Sequence, residues 1–131
     1  MAQAKAQIGK ERYKTVVQMR EHQISADEPE QLNGTNQGAT PMELLAASLA
    51  SCTVITLRMY IDRKEWPISN IDADVEIEPA QGDQATRIQL TVKVEGDIDE
   101  KQRKRIAIIA SKCPVHKVLK ESIHIDTQLI S

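Results

Sequence analysis

Residues 40–64 of the chain, TPMELLAASLASCTVITLRMYIDRK, decide the fold. Thr40 is of the type that caps a helix, and Pro41 suits the first helical position. Glu43 stands three residues after the cap, where a capping box needs an acid or an amide. These signals together predict a helix that begins at Pro41.

The predicted helix is apolar on all sides, because no charged residue occurs from Leu44 to Leu57. A helix of this kind is normally buried in the core of a protein. The apolar run is shorter than the roughly 20 residues that a membrane span needs. The predicted helix becomes amphipathic only near residues 58–64, and we expect it to stop before Pro67. We therefore predict a central core helix with Cys52 near its middle.

Alternating patterns on both sides of this helix predict strands. Residues 70–78 place apolar side chains on one face and acidic ones on the other, and residues 86–95 also alternate. This pattern predicts an antiparallel hairpin with one face exposed to water. Residues 13–19 and 23–26 predict two strands before the helix, and residues 123–129 predict a last one.

Two further helices complete the predicted order. One spans about residues 99–112 and ends before Pro114, and a short one follows Cys113. The order ββ-α-ββ-αα-β indicates an α+β fold with antiparallel sheet, and the length fits a single domain over residues 1–131. Because so few strands cannot cover one long apolar helix, we predict a dimer that buries the helix between two subunits.

The overall composition excludes several classes of function. The 131 residues include 17 Lys and Arg against 19 Asp and Glu, which gives no reason to expect nucleic-acid or anionic-membrane affinity. An aromatic content of 2% argues against a groove that stacks bases. The basic run at residues 101–105 follows acidic residues at a helix start, so we interpret it as a solvated helix face. The first residues lack the apolar run of a signal peptide, and we expect a cytoplasmic protein.

The chain has two cysteines, Cys52 and Cys113. A structural disulfide is disfavoured in a reducing compartment, so each is either a small buried residue or one member of a redox pair. The residues alone favour the thiolate of Cys113, which precedes a helix and has lysines nearby. His116 is either a base or an ordinary surface histidine. The Cys113-x-x-His116 pair is only half of a zinc pattern, so we predict no metal site.

Taken together, residues 24–129 resemble the OsmC/Ohr superfamily, the osmotically inducible and organic hydroperoxide resistance proteins, in its OsmC-like branch. The resemblance rests on the pattern P-x-E-L-L-x-A-x-L-A-x-C at residues 41–52 and on K-C-P-V-H at residues 112–116. It implies an intertwined homodimer in which two central helices pack together and the sheets wrap around them. It also implies that the protein holds no metal and no organic cofactor.

The resemblance further implies thiol peroxidase chemistry. Cys52 attacks an organic hydroperoxide and Cys113 resolves the product to a disulfide, which an external dithiol reduces. This reverses the ranking of the two thiols given by the residues alone. In the peroxidase branches, a Glu directly after the helix-start Pro and an Arg from an N-terminal loop hold the thiolate. Here Met42 occupies the Glu position, Glu43 points about 100° away on the helix, and Arg20 is the candidate Arg.

Two classes of function remain open. The first is a Cys-based peroxidase that protects against organic hydroperoxides. The second is an OsmC-like protein with weak or no peroxidase activity that binds a small apolar or electrophilic ligand at the dimer interface. The retained pair of cysteines favours the first class, and Met42 favours the second.

Overall fold

The long helix predicted from the sequence is present as α1 (Pro41–Lys64) in a computed structural model that describes residues 1–131. Its start is a capping box, as predicted. The backbone amide of Thr40 donates to Glu43 Oε1 at 2.8 Å, and the amide of Glu43 donates to Thr40 Oγ1 at 3.1 Å. Two of the amides that have no partner inside the helix are thereby satisfied.

Only one face of α1 is buried within the chain. The buried residues recur every fourth position and are Leu49, Thr53, Leu57 and Ile61. Ile55 and Met59 are 53% and 60% exposed. The expectation of a buried central helix therefore holds for one face. A sequence that is apolar on all sides cannot indicate which face that is.

The length of α1 corrects one expectation. With 24 residues, the helix is long and apolar enough to cross a membrane by length and composition. The uncharged run alone is shorter than a membrane span, but the helix as a whole is not, because it extends beyond that run at both ends. A single helix of this kind is weak evidence for a span, since core helices of soluble proteins have the same length and composition.

The chain divides into two compact units, Met1–Leu45 and Ala46–Ser131. The first contains a three-stranded antiparallel sheet in the order β1 (Lys5–Gln7), β2 (Thr15–Met19), β3 (His22–Ala26). Strands β2 and β3 match the prediction, whereas β1 was not predicted.

The loop after β3 is organised by Asp27, which is only 2% exposed. Its carboxylate accepts hydrogen bonds from one hydroxyl and from backbone amides; the donors are Thr35 Oγ1 (2.5 Å), Glu28 N (2.7 Å), Gln37 N (3.0 Å), Tyr13 N (3.0 Å) and Thr35 N (3.4 Å). Burial alone raises the pKa of Asp27, but these hydrogen bonds outweigh it and hold the pKa well below its usual range. The loop also contains a short 3-10 helix, Glu30–Leu32.

The second unit contains the predicted hairpin, formed by β4 (Ile68–Glu78) and β5 (Arg87–Gly96). Asp72 lies opposite Lys93, and the hairpin therefore pairs acidic with basic side chains on its wet face. At the end of β5, Gly96 has φ 156° and its Cα approaches the Pro67 carbonyl. A Cβ there would lie 2.1 Å from that oxygen, so only glycine fits.

Two helices follow, α2 (Glu100–Ala110) and α3 (Pro114–Lys120). Asp99 caps α2 in a capping box with Gln102, and Cys113 is the N-cap of α3. Aliphatic residues of α1, β4 and α2 form the core of this unit; they are Leu57, Ile61, Ile68, Ile106, Ile109 and Ala110. The core is therefore built by packing α1 and α2 on one end of the hairpin.

The strand predicted at residues 123–129 is wrong. The structure contains no helix or strand after Glu121, and Ile125 and Leu129 are 78% and 92% exposed. A strand needs a neighbouring strand to satisfy its backbone, and alternation in sequence cannot provide one. The apolar side chains of this segment have no cover within the chain.

Candidate functional site: a thiol pair

The thiols of Cys52 and Cys113 are neighbours in the second unit. Cys52 lies in the middle of α1 and is half-buried, whereas Cys113 is fully buried at the start of α3. The side chain of Cys113 and the backbone amide of Val115 both lie close enough to the Cys52 thiol to affect its pKa. Both cysteines are free thiols. The structure thus brings together the two cysteines that are far apart in the sequence.

The position of Cys113 follows from its neighbour Pro114. A proline disfavours the helical conformation for the residue before it, and Cys113 is extended with φ −68° and ψ 147°. Its sulfur accepts a hydrogen bond from the backbone amide of His116 at 3.3 Å. This bond caps the N-terminus of α3, and it therefore holds the Cys113 thiol in place at the start of the helix.

A buried hydroxyl also lies next to this thiol. Thr53 Oγ1 is 3.9 Å from the sulfur of Cys113 and donates to the Leu49 carbonyl at 2.8 Å. Thr53 and Cys113 are both 0% exposed. The residue beside Cys52 on α1 therefore packs against its partner thiol, and the helix presents both to α3.

The environment of Cys52 disfavours its thiolate. Burial raises the pKa of Cys52, and the neighbouring Cys113 thiol raises it further. Hydrogen bonds from the Val115 amide and the Thr56 side chain act in the opposite direction but do not outweigh burial. Within this single chain, Cys52 is therefore a neutral thiol at pH 7. A nucleophilic role requires a positive group beyond these four contacts.

His116 is not the ordinary surface histidine that the sequence left open. It is half-buried in the first turn of α3, and its Nδ1 atom is buried without a hydrogen-bond partner. Its backbone, rather than its ring, bonds to the sulfur of Cys113. The histidine is therefore part of the helix turn that holds the thiol.

Arg20 and Glu43 belong to the first unit, where each has its own partner. Arg20 lies in the turn between β2 and β3 with φ 56°, and its guanidinium is 3.4 Å from the carboxylate of Glu21 on the exposed surface. The carboxylate of Glu43 is engaged in the capping box with Thr40. Met42 is 54% exposed.

Two contacts of the site were missed at the sequence level. Thr56 is four residues after Cys52, and that spacing on a helix is a usable signal for a side-chain contact. The amide of Val115 had no such signal, because its position depends on where α3 packs. No group of three or more His, Cys, Asp or Glu side chains is placed to hold a metal ion.

Comparison with known proteins identifies the fold. The sequence pattern of one family, described as OsmC-like protein, matches residues 34–128. No curated protein matches the chain. Among solved structures, an OsmC-like protein from Mycoplasma pneumoniae superposes with a TM-score of 0.76 at 22% identity, covering 92% of this chain and 87% of that one.

Two further solved structures carry names that refer to hydroperoxides. An organic hydroperoxide resistance protein OsmC from Legionella pneumophila has a TM-score of 0.67 at 17% identity and covers 92% of this chain and 89% of its own. One from Elizabethkingia anophelis, with thiocyanate bound, has a TM-score of 0.67 at 20% identity and covers 92% and 88%. At these identities the likeness shows the fold alone.

Proposed function

Because the chain belongs to the OsmC-like protein family, we propose that it is a Cys-based thiol peroxidase that reduces organic hydroperoxides. The observation that carries this proposal is the contact between the thiols of Cys52 and Cys113. Two thiols in contact can exchange two electrons with a peroxide without any metal or organic cofactor. Of the pair, Cys52 is the one accessible to a substrate, so it takes the peroxidatic role.

In the first step, the Cys52 thiolate attacks the distal oxygen of the hydroperoxide. A sulfur–oxygen bond forms, the O–O bond breaks, and the alkoxide leaves and takes up a proton. Cys52 is oxidised to a sulfenic acid, and the peroxide is reduced to an alcohol. The residues around Cys52 on α1, from Leu44 to Leu57, are uncharged, and this favours organic hydroperoxides with apolar groups.

In the second step, the thiolate of Cys113 attacks the sulfur of the sulfenic acid. A disulfide forms, and hydroxide leaves and is protonated to water. Cys113 is the resolving residue because it is already in contact with Cys52 and is shielded from solvent. An external dithiol then returns the two electrons by thiol–disulfide exchange.

We propose that the chain works as an intertwined homodimer in which both units act as one domain. Apolar side chains that the single chain leaves exposed support this, among them Ile55 and Met59 on α1 and Leu129 in the C-terminal segment. A dimer also supplies what the Cys52 thiolate lacks, because a partner subunit can bring a positive group to it. We place the protein in the cytoplasm, where its free thiols stay reduced.

A second function is favoured by the raised pKa of Cys52 and by Met42. A neutral thiol reacts slowly with peroxides. If the dimer supplies no positive group, the same site acts as a binding site for a small apolar or electrophilic ligand.

The decisive experiment mixes the reduced protein with one equivalent of cumene hydroperoxide and follows its mass. The variants Cys52→Ser and Cys113→Ser are run beside it. A peroxidase loses two hydrogens within seconds as the disulfide forms. The Cys52→Ser variant then does not react, and the Cys113→Ser variant gains one oxygen, which dimedone traps as a sulfenic acid adduct.

Two thiols that remain intact after several minutes would exclude the peroxidase and leave ligand binding. A trapped sulfenic acid in Cys52→Ser would instead show that the two roles are exchanged. Serine is the substitution of choice because it keeps the branching and polarity of each side chain and removes the sulfur chemistry.

A further inference from the structure

A pocket of about 360 Å³ lies between the end of α1 and the outer face of α2, with no residue in common with the thiol pair. Its floor is apolar and is formed by Tyr60, Trp66 and Ile108. The Tyr60 and Trp66 rings meet edge to face, with centroids 5.6 Å apart and planes at 77°. Both rings pack against the aliphatic core, so the floor is held rigidly. Ile108 is 48% exposed and leaves the pocket open to solvent.

The rim of the pocket is positively charged. Arg105 Nε donates to the Tyr60 hydroxyl at 3.1 Å, and its guanidinium lies 5.8 Å from the centre of that ring. Lys64 Nζ lies 5.7 Å from the same ring. Lys101 and Lys104 line the pocket from α2, where a spacing of three and four residues places them on the face of Arg105 and Ile108.

The cations of this rim have no acidic partner. None of the four basic residues forms an ion pair in the structure, where the five ion pairs involve other cations. Asp99 is the one acid that lines the pocket, and its carboxylate accepts the Gln102 amide at 2.7 Å as the cap of α2. The pocket therefore combines an apolar floor with a rim of net positive charge, in which four cations stand against one carboxylate.

We propose that this pocket binds a small amphipathic carboxylate. Its apolar body lies on Tyr60, Trp66 and Ile108, and its carboxylate lies among the cations of α2. An apolar floor alone accepts any hydrophobic molecule, whereas the positive rim selects an anion. The basic run at residues 101–105, interpreted from sequence as a solvated helix face, thereby gains a binding role. This proposal is independent of the thiol chemistry.

Trp66 makes the proposal directly testable, because it is the only tryptophan of the chain. Its fluorescence is titrated with decanoate below the micelle concentration, and n-decanol serves as the uncharged ligand of equal chain length. We expect a saturable change with decanoate and at least about fivefold weaker binding of decanol. Removing each cation weakens binding about two- to fivefold, as for exposed ion pairs. Raising the salt concentration weakens the decanoate complex and leaves that of decanol unchanged.

The variant Lys104→Gln/Arg105→Gln removes two charges from the rim and is expected to bind decanoate about tenfold more weakly. The matched control, Lys93→Gln/Lys120→Gln, removes two exposed charges elsewhere and binds as the wild type does. Ile108→Glu provides a second variant, in which an exposed apolar residue becomes an acid and repels the carboxylate. No saturable response to decanoate, equal binding of decanol, or equal loss in the control variant overturns the proposal.

Discussion

The hydroxyl of Thr53 lies 3.9 Å from the sulfur of Cys113, and neither side chain is exposed to solvent. Cys52, which contacts the same sulfur, is only half-buried. The pair is therefore asymmetric: Cys52 is accessible to a reagent from solvent, whereas Cys113 is not. The proposed mechanism requires the same difference, because the accessible thiol attacks the peroxide and the buried thiol then forms the disulfide.

The asymmetry predicts the order of alkylation. In the native reduced protein, iodoacetamide modifies Cys52 at least about tenfold faster than Cys113, because access limits the buried thiol. In denaturing urea the two thiols react at similar rates, since the folded environment is lost. Peptide mapping by mass spectrometry after timed quenching measures both rates. Faster labelling of Cys113 in the native protein would contradict the arrangement of the two thiols.

The raised pKa of Cys52 predicts the pH dependence of its reaction. The thiolate fraction, and with it the rate of alkylation, rises about tenfold per pH unit below the pKa. An ordinary thiol is half ionised near pH 8.5, and in a monomeric form of the protein we expect Cys52 to reach half ionisation only above that value. Cys113→Ala removes one cause of the raised pKa, so its profile shifts to lower pH. Half ionisation of Cys52 below pH 8.5 in a monomeric form of the protein would contradict the raised pKa.

The family resemblance implies that a Glu at position 42 and an Arg stabilise the Cys52 thiolate. Substitutions at Met42 and Arg20 test this. Met42→Glu restores the acid after the helix-start proline, at a position that is 54% exposed and tolerates the change. We expect the hydroperoxide to oxidise Cys52 about tenfold faster, which corresponds to roughly one pKa unit. The effect depends on an arginine that the new carboxylate can hold. In an Arg20→Gln background the same substitution therefore brings no gain.

The measurement is stopped-flow oxidation of Cys52 in all four combinations of residues 42 and 20. Met42→Gln is the control for side-chain length without charge. If Met42→Glu still speeds the oxidation of Cys52 in the Arg20→Gln background, a cation other than Arg20 stabilises the thiolate.

The elements whose signals are local were predictable from sequence. The capping box of Thr40 and Glu43 marks the start of α1, and alternation over residues 70–78 and 86–95 marks the hairpin. β1 was missed because it is three residues long and owes its existence to pairing with β2. The segment 123–129 has the alternation of a strand but no partner within the chain. Strands need a neighbour that a linear pattern does not contain.

The functional site was predictable only in part. Periodicity places Cys52 on α1 and Cys113 before α3, but it does not say that the two meet. That expectation came from the resemblance to a family. The contact with Val115 was predicted neither by the periodicity nor by the resemblance. Asp27 was one acid in a polar loop, and nothing in the sequence distinguished its buried carboxylate from the exposed ones.

The hydrogen bonds of Asp27 predict an acid-sensitive contribution to stability. Asp27→Asn replaces an oxygen that accepts amide hydrogens with a group that donates them, so the midpoint of thermal unfolding at pH 7 falls by several degrees. Because the folded pKa is depressed, the contribution of Asp27 is full above the unfolded value near 4 and is lost as pH falls further. The difference between wild type and variant therefore shrinks below about pH 4.

Calorimetric scans at pH 7 and pH 3 measure this difference. The matched control is Asp74→Asn, an exposed acid on the wet face of the hairpin, which leaves the midpoint nearly unchanged. An equal decrease of the unfolding midpoint at both pH values would show that Asp27 stabilises the protein without its negative charge.

The exposed face of α1 predicts the oligomeric state. Ile55 and Met59 are 53% and 60% exposed and apolar, and we expect a second copy to cover them. Light scattering then gives the wild type twice the 14.6 kDa of one chain, whereas Ile55→Glu/Met59→Glu gives a monomer because two buried charges destabilise the interface. Ile108→Glu, at a similarly exposed position on α2, stays a dimer.

The same variants connect assembly to chemistry. If a partner subunit supplies the positive group for the Cys52 thiolate, the monomeric variant loses its reaction with cumene hydroperoxide although both of its thiols remain in contact. Alkylation of Cys52 in that variant then shows the raised pKa of the single chain, while the dimer shows a lower one. A wild type that is monomeric, or a monomeric variant that reacts at the full rate, would contradict the role of the partner.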